Sequence, residues 1–330
     1  MVNAMFRRRG FFALLIILAV IAGIYATMEL SGQSFLNKMY SPSKRVNLDA
    51  EYKGGIQKRV LVSESNAPKL RIAMAPIMSP EKNLPLYKNL FKYLGERLGM
   101  EPVVIHRSSY SEINDLLQYD NCEIGFICSY PFVLGERTYG LQLLAIPRIK
   151  GKITYTSLII VPAASSAASL LDLRGKRFAS CDIISQSGWI YPALWLQERG
   201  ENPKKFFSEH VIAGSHDRAI QAVASHFVDG ASVQSVVYER MIEETPGLAD
   251  KIKVIGTSSE FGMPPLVVNP KMDPALKERI QALLVTMDEG PEGKKILADM
   301  GIDRFEKPDD NLNNLLYNDV RKCADVWNPR

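Results

Sequence analysis

The chain has 330 residues, 46% of them hydrophobic and 23% charged, with a formal net charge of +4. That length accommodates two lobes of roughly 100–150 residues, and so mild a charge, with no Lys/Arg stripe interleaved with aromatics, excludes a nucleic-acid binder. The cysteines and histidines show no metal-type spacing, so no metal or other cofactor is expected.

Arg7, Arg8 and Arg9 precede Phe11 to Ala26, a run without a charge or strong polar group. A basic end before an apolar run reads as a secretion signal or an N-terminal membrane anchor. The length leaves both open, because a spanning helix needs roughly 20 apolar residues and a signal core about 7–15. Thr27 and Met28 extend the run into the spanning range, whereas Val20-Ile21-Ala22 is a tolerable cleavage site. No cysteine follows the run, which excludes a bacterial lipoprotein. In both readings the globular part lies outside the cytoplasmic membrane, because the positive end stays inside. Residues 1–28 are therefore signal or anchor, and the polar, mixed residues 29–67 a tether, in which Lys58 to Val62 could add an edge strand.

From Lys69 the pattern becomes αβ. Leu70 to Ala75 alternates like a strand, and Tyr87, Leu90, Phe91, Leu94 and Leu98 recur at helical spacing, with Pro85 near the start and Gly99 past the end. Glu101 to Ile105 predicts a strand, Ser109 a capped helix to about Leu117, Cys122 to Cys128 an apolar strand, and Tyr155 to Val161 another. Strands alternating with helices predict mainly parallel sheet with ligands at strand C-termini. A second run follows: strands at Arg177 to Ser180, Glu209 to Ala213, Val228 to Val233 and Lys251 to Ile255, with helices after Ser187, after His216 and up to Glu244. Asp273-Pro274 caps a further helix, and Gly290-Pro291-Glu292 opens one that Gly301 can end. The return of the chain predicts lobe one from 68–160 plus 256–330 and lobe two from 161–255, with hinges near Val161 and Ile255-Gly256.

Cys122 and Cys128 end one predicted strand, ~20 Å apart at ~3.3 Å per residue and beyond disulfide reach. Cys181 follows another strand and Cys323 lies in the C-terminal tail, so no disulfide framework emerges. Cys128 and Cys181 are placed to face one cleft from opposite lobes.

The chemistry concentrates at two helix starts. Ser185-Gln186-Ser187-Gly188 and Gly214-Ser215-His216-Asp217 each follow a β-like run and open a helix-like one. Free N–H groups and the positive end of the helix dipole meet there, and two such sites in one αβ chain suggest a cleft for an oxyanion. Plain N-capping is the competing reading for both serines. Asp217, in a first helical turn, reads as structural. His216, with an ordinary value near neutrality, would make binding pH-sensitive.

With these residues in place, the chain from about Lys69 to Lys307 resembles the phosphonate/phosphite/phosphate-binding proteins of ABC transporters, two-lobed α/β periplasmic receptors of the type 2 class. The resemblance rests on Ser185-x-Ser187-Gly188 followed by Pro192, on Ala213 to Asp217, on Ala222-Val223 with Val228-Asp229, on Pro265 to Val268, and on Gly290 to Gly293 with Gly301-Ile302. It implies a type 2 periplasmic-binding-protein fold and a ligand held by Ser185, Gln186, Ser187 and Gly188, with Ser79 from the first βα loop and His216. Ser129 and Tyr130 after the third strand, and Gln234 after Val233, are further candidates. The sequence departs from the family in three places. Gln186 replaces the Thr between the serines, Phe126-Ile127-Cys128 replaces a Trp-Tyr-Gly pattern, and Met263-Pro264 stands where amine-binding members carry a carboxylate.

The resemblance implies a monomeric, non-enzymatic solute-binding component of an ABC importer for a small phosphorus oxyanion, with a permease as partner, periplasmic and tethered to or released from the inner membrane. The alternative is a membrane-tethered sensory or partner-docking domain on the same scaffold. An enzyme pairing Ser187 with His216 is the third reading, and it lacks both a Gly-x-Ser-x-Gly elbow and an orienting acid.

Overall fold

A computed structural model describes residues 67–309 and residue 316. The expected N-terminal helix, tether, Lys58–Val62 strand and Cys323 lie outside the described residues, among which no helix is long and apolar enough to cross a membrane.

The first half runs β1 (Lys69–Met74), α1 (Pro80–Leu98), β2 (Glu101–His106), α2 (Tyr110–Gln118), β3 (Ile124–Phe126), α3 (Ser129–Tyr139) and β4 (Gln142–Arg148). Local chemistry sets the ends of these helices. Gly99 closes α1 at φ 68, a left-handed value that suits glycine. Ser109 and Glu112 form a reciprocal capping box at the start of α2. Pro85 sits inside α1, which begins earlier than the apolar spacing predicts, at Pro80 after Ser79. The helix α3 and strand β4 carry no strong periodicity and emerge only in the structure.

The chain then passes β5 (Thr154–Tyr155) into β6 (Ser157–Pro162), β7 (Arg177–Ser180), a π-turn at Gln186–Ile190 and α4 (Tyr191–Gln197). It continues through α5 (Pro203–Phe206), β8 (Glu209–Ile212), α6 (His216–Ala224), β9 (Gly230–Gln234), α7 (Ser235–Glu244) and β10 (Ile252–Thr257). It returns through β11 (Phe261–Gly262) and β12 (Leu266–Val268) to α8 (Pro274–Val285), α9 (Pro291–Met300) and β13 (Arg304–Glu306). Asp273 caps α8 by accepting from the N–H groups of Ala275 and Leu276, and Gly301 ends α9 at φ 71.

Two sheets result. The first has the order β13-β4-β12-β3-β1-β2 and the second β10-β6-β9-β7-β8, while β11 pairs only with β5. Parallel pairing is confined to β2-β1-β3 and to β8-β7-β9; β4, β12, β13, β6 and β10 pair antiparallel. The expectation of mainly parallel sheet is corrected accordingly. β6 and β12, which the chain reaches directly from the crossover without a helical return, run opposite to the parallel strands, and β4 and β10 pair antiparallel because β12 and β6 stand between them and those strands. β6 and β10 pair over their length inside the second sheet, so the divisions expected at 160/161 and 255/256 fall within strands. The sheets change over at the short β5–β11 pair, where Phe261 lies opposite Tyr155.

Each sheet has its own core. In the first, Phe91 packs edge-on against Phe126 at 6.1 Å between ring centroids, amid buried Leu70, Ile72, Leu90 and Leu94. Truncating such a ring to alanine costs ~3–5 kcal/mol. In the second, Phe178 stacks on Phe207 at 4.3 Å and Trp189 on His210 at 3.7 Å. A further apolar cluster crosses between the lobes: Ala75, Tyr110, Ile127 and Cys128 from one side meet Cys181, Ile184 and Ile190 from the other, with Tyr155, Phe261 and Met263 at the crossover.

Candidate functional site

The Ser185 turn is held from below. The Ser187 carbonyl accepts hydrogen bonds from Ser157 Oγ (2.7 Å) and Ser232 Oγ (2.6 Å), on neighbouring strands β6 and β9. Ser185 Oγ accepts from the Gly188 N–H at 3.1 Å, so it does cap the turn. Both Trp189 and Ile190 donate to the Ser185 carbonyl, which gives the first turn its wide π geometry. Gly188 is required by contact: a Cβ there would lie 2.8 Å from Cys181 Sγ.

His216, only 1% exposed, opens α6 beside this turn. Its ring Nδ1 accepts the Gln234 backbone N–H at 3.2 Å. The proton of the neutral ring therefore sits on Nε2, which faces Cys181 Sγ at 3.2 Å and Ser185 Oγ at 3.5 Å. Burial lowers its pKa to about 3, with Asp217 opposing only in part. The expectation of a ring titrating near neutrality is corrected: desolvation, absent from any sequence pattern, keeps His216 an uncharged donor.

Three buried side-chain atoms beside these groups have no hydrogen-bond partner: Ser187 Oγ, Ser215 Oγ and Gln186 Oε1. Buried polar atoms are rarely left so. The Tyr155 phenol lies among the Ser187, Ser129 and Cys128 side chains, 3.8 Å from Cys128 Sγ, yet Ser187 Oγ forms no hydrogen bond of ordinary geometry with it. The Tyr110 phenol reaches Cys181 Sγ at 3.7 Å. Burial holds both phenols well above their ordinary value and raises the Cys128 and Cys181 thiols, so all four stay protonated. Cys122, Cys128 and Cys181 are free thiols, and among the described residues no group of three or more His, Cys, Asp or Glu is suited to a metal.

Of the nine residues expected from the sequence, five meet here: Ser185, Gln186, Ser187, Gly188 and His216. Gln234 joins them through its backbone. Ser79 approaches from the other lobe, where its N–H donates to Asp217 Oδ1 at 2.8 Å. Ser129 is committed elsewhere, its hydroxyl donating to the Gly262 carbonyl at 2.6 Å, and Tyr130 is packed in the cross-lobe cluster. Sequence reasoning missed Ser215 and Tyr155 as site residues. Ser215 stood inside the quoted Gly-Ser-His-Asp stretch; Tyr155, predicted only as strand, carried no signal.

Direct hydrogen bonds link the lobes around the site. His216 N–H donates to the Ile77 carbonyl at 3.0 Å, and Tyr110 N–H to Asp182 Oδ2 at 2.9 Å. Asp217, read as a first-turn acid, is thus also a cross-lobe latch through Ser79. A cavity of about 90 Å³ lies between the start of α7 and the end of β1 with α1; Gln234 and Ile77, both hydrogen-bonded to His216, line it, and Gln234 is the one of the nine expected residues that does.

Chemically, the arrangement offers hydroxyls, N–H groups and a neutral imidazole N–H at two helix starts, with two phenols opposite. It is a set of hydrogen-bond donors suited to an oxyanion. It is poorly made for nucleophilic catalysis. With Nε2 already protonated and Nδ1 bound to a backbone N–H, His216 cannot take a proton from Ser187.

Residues 72–312 match the family described as ABC transporter, phosphonate, periplasmic substrate-binding protein. Among solved structures, a binding-protein component of an ABC phosphonate transporter from Pseudomonas aeruginosa is 21% identical, with a TM-score of 0.72 over 80% of this chain and 90% of that one. A Prochlorococcus marinus protein in complex with methylphosphonate is 16% identical, with a TM-score of 0.69 over 79% and 100%. A Xanthomonas citri protein bound to ATP is 18% identical, with a TM-score of 0.65 over 78% and 99%. At these identities the structural likeness establishes the two-lobed fold.

Proposed function

The chain belongs to the periplasmic substrate-binding proteins of phosphonate ABC transporters, and from that membership we propose that it binds the oxyanion head of an organophosphonate between its lobes. The family is one of solute receptors that hand a small ligand to a membrane permease, and it places this chain in the periplasm as a non-enzyme. The observation that carries the ligand assignment is the set of buried, unpartnered groups, Ser187 Oγ and Ser215 Oγ, beside the Nε2 proton of His216 at two helix starts.

In this reading the phosphonate oxygens accept from Ser187, Ser215, His216 Nε2 and the Tyr155 phenol, while Ser185 and Gly188 keep the turn in shape. Gln186 borders the same spot. Ser79 and Gln234 act through the backbone bonds that align His216 and the lobe contact, and Ser129 and Tyr130 support the crossover. The receptor works as a monomer, tethered by the apolar run after Arg7 to Arg9 or released into the periplasm by its cleavage. No observation among the described residues favours the sensory alternative.

Titration calorimetry of the full-length protein with methylphosphonate, phosphite, phosphate and sulfate tests the assignment. Saturable binding of methylphosphonate, without turnover and with a raised melting temperature, is expected. Absence of heat and of any thermal shift for the phosphorus oxyanions refutes it.

A further inference from the structure

The cavity next to the His216 contacts Gln234 and Ile77 is mainly apolar, with Asn83, Gln234 and Arg240 as its polar lining. Met74, Leu86, Tyr87 and Phe126 form one wall, and Val236 and Val237, at the start of α7, form the other. Met263 and Pro264 line it as well, and no Asp or Glu does. Its cationic lining residue is Arg240, whose Nε donates to Glu244 at 2.6 Å and whose Nη1 donates to the Met300 carbonyl at 3.3 Å. Burial pushes the Tyr87 phenol up to about 12, with Arg240 opposing, so that group too is uncharged.

The cavity is joined to the proposed cradle by short links. Gln234 and Ile77 both line it, and both are hydrogen-bonded to His216, one at the ring and one at the backbone. Ala75, Ile127 and Met263 share their apolar cluster with Tyr155, Cys128 and Cys181 of the cradle. A head group bound at His216 is therefore one residue away from this apolar chamber, through Gln234 and Ile77.

We propose that this cavity holds the organic substituent of the ligand and selects phosphonates carrying a short, uncharged, apolar group. The inference rests on the oxyanion reading above. Chain length is recognised by burial, since each methylene taken from water into an apolar pocket adds about fourfold in affinity, the ratio to which ~0.8 kcal/mol corresponds. An ammonium in the same place meets Arg240 and no carboxylate, so it binds unpaired.

The test is calorimetry on the full-length protein with methyl-, ethyl-, propyl- and butylphosphonate and with 2-aminoethylphosphonate. Affinity rising about fourfold per carbon to propyl or butyl, with the amine at least about tenfold weaker than propylphosphonate, is expected. Leu86→Trp, which fills the chamber from a half-buried position on α1, collapses the butyl-to-methyl ratio towards one; Val237→Phe does the same from the opposite wall if the first variant does not fold. Equal affinities along the series, tighter binding of the amine, or a ratio that survives the filled chamber each overturn the inference while leaving phosphonate binding intact. Failure of every phosphonate to bind overturns the oxyanion reading and this inference together.

Discussion

Ser109 and Ser215 each head a nine-residue helix from the same extended backbone geometry, with ψ of 159° and 161°. Ser109 accepts from the Glu112 N–H, Glu112 reaches back, and the pair closes a capping box near the surface. Ser215 makes no cap bond, and its hydroxyl is buried without a partner. By residue type the two are the same signal. What separates them is where the hydroxyl's hydrogen bond goes: one serine stabilises its own helix, the other has its hydroxyl buried without a partner. The residues that follow differ in the same sense. Tyr110 fills the interlobe cluster, whereas His216 brings a polar N–H to it.

The sharpest way to break this contrast is by pH. His216 and His210 are lowered by burial to about 3 and about 4, from an ordinary 6.5. Between those values the unfolded chain takes up protons that the folded chain refuses, so stability is complete above pH 6.5 and falls as pH drops towards 3. The combined loss is on the order of a few kcal/mol, read from denaturant midpoints at about pH 7 and about pH 4.5, on either side of the ordinary histidine value. His216→Gln flattens the slope. Stability that rises on acidification contradicts the neutral assignment of His216.

Next in size is the cradle itself. Ser187→Ala removes a hydrogen bond to a charged ligand, roughly 1.5–3 kcal/mol of affinity, and Ser215→Ala loses a similar amount. Both variants keep or gain stability without ligand, because they delete a buried, unpartnered hydroxyl. Variants with unaltered affinity for methylphosphonate move the ligand elsewhere. Gly188→Ala tests the close approach to Cys181: overpacking costs ~1–3 kcal/mol of stability, and Cys181→Ala in the same chain recovers part of it. A double variant no better than the single one assigns the cost to the backbone instead. The smallest effect belongs to the comparison's other half. Ser109→Ala lowers stability by ~1 kcal/mol and leaves phosphonate affinity unaltered; an affinity loss there would erase the distinction between the two helix starts.

Much of the local framework is legible in the amino-acid order. Ser109 with Glu112, Asp273 with Pro274, and Gly99 and Gly301 beyond their helices are encoded within a few residues, because caps and left-handed glycines satisfy neighbouring backbone groups. The alternation of β1 and the helical spacing of Leu90, Phe91 and Leu94 are equally local. The helix starts at Ser185 and His216 are likewise legible, and with them the five expected site residues that meet in the fold.

Tertiary structure alone decided the rest. The return of β12 between β3 and β4, the reversed entry of β6 between β9 and β10, and the changeover at β5–β11 depend on pairings between distant parts of the chain. So do the meeting of Tyr155 with Ser187, the latch from Ser79 to Asp217, and the apolar cavity that Met263 shares with Val237. The neutrality of His216 is of the same kind, since desolvation comes from whatever the fold packs around a ring. Amino-acid order determines which backbone groups each segment can satisfy by itself; only the assembled lobes determine which side chains lose water together, and that loss shapes both the donor cradle and the chamber beside it.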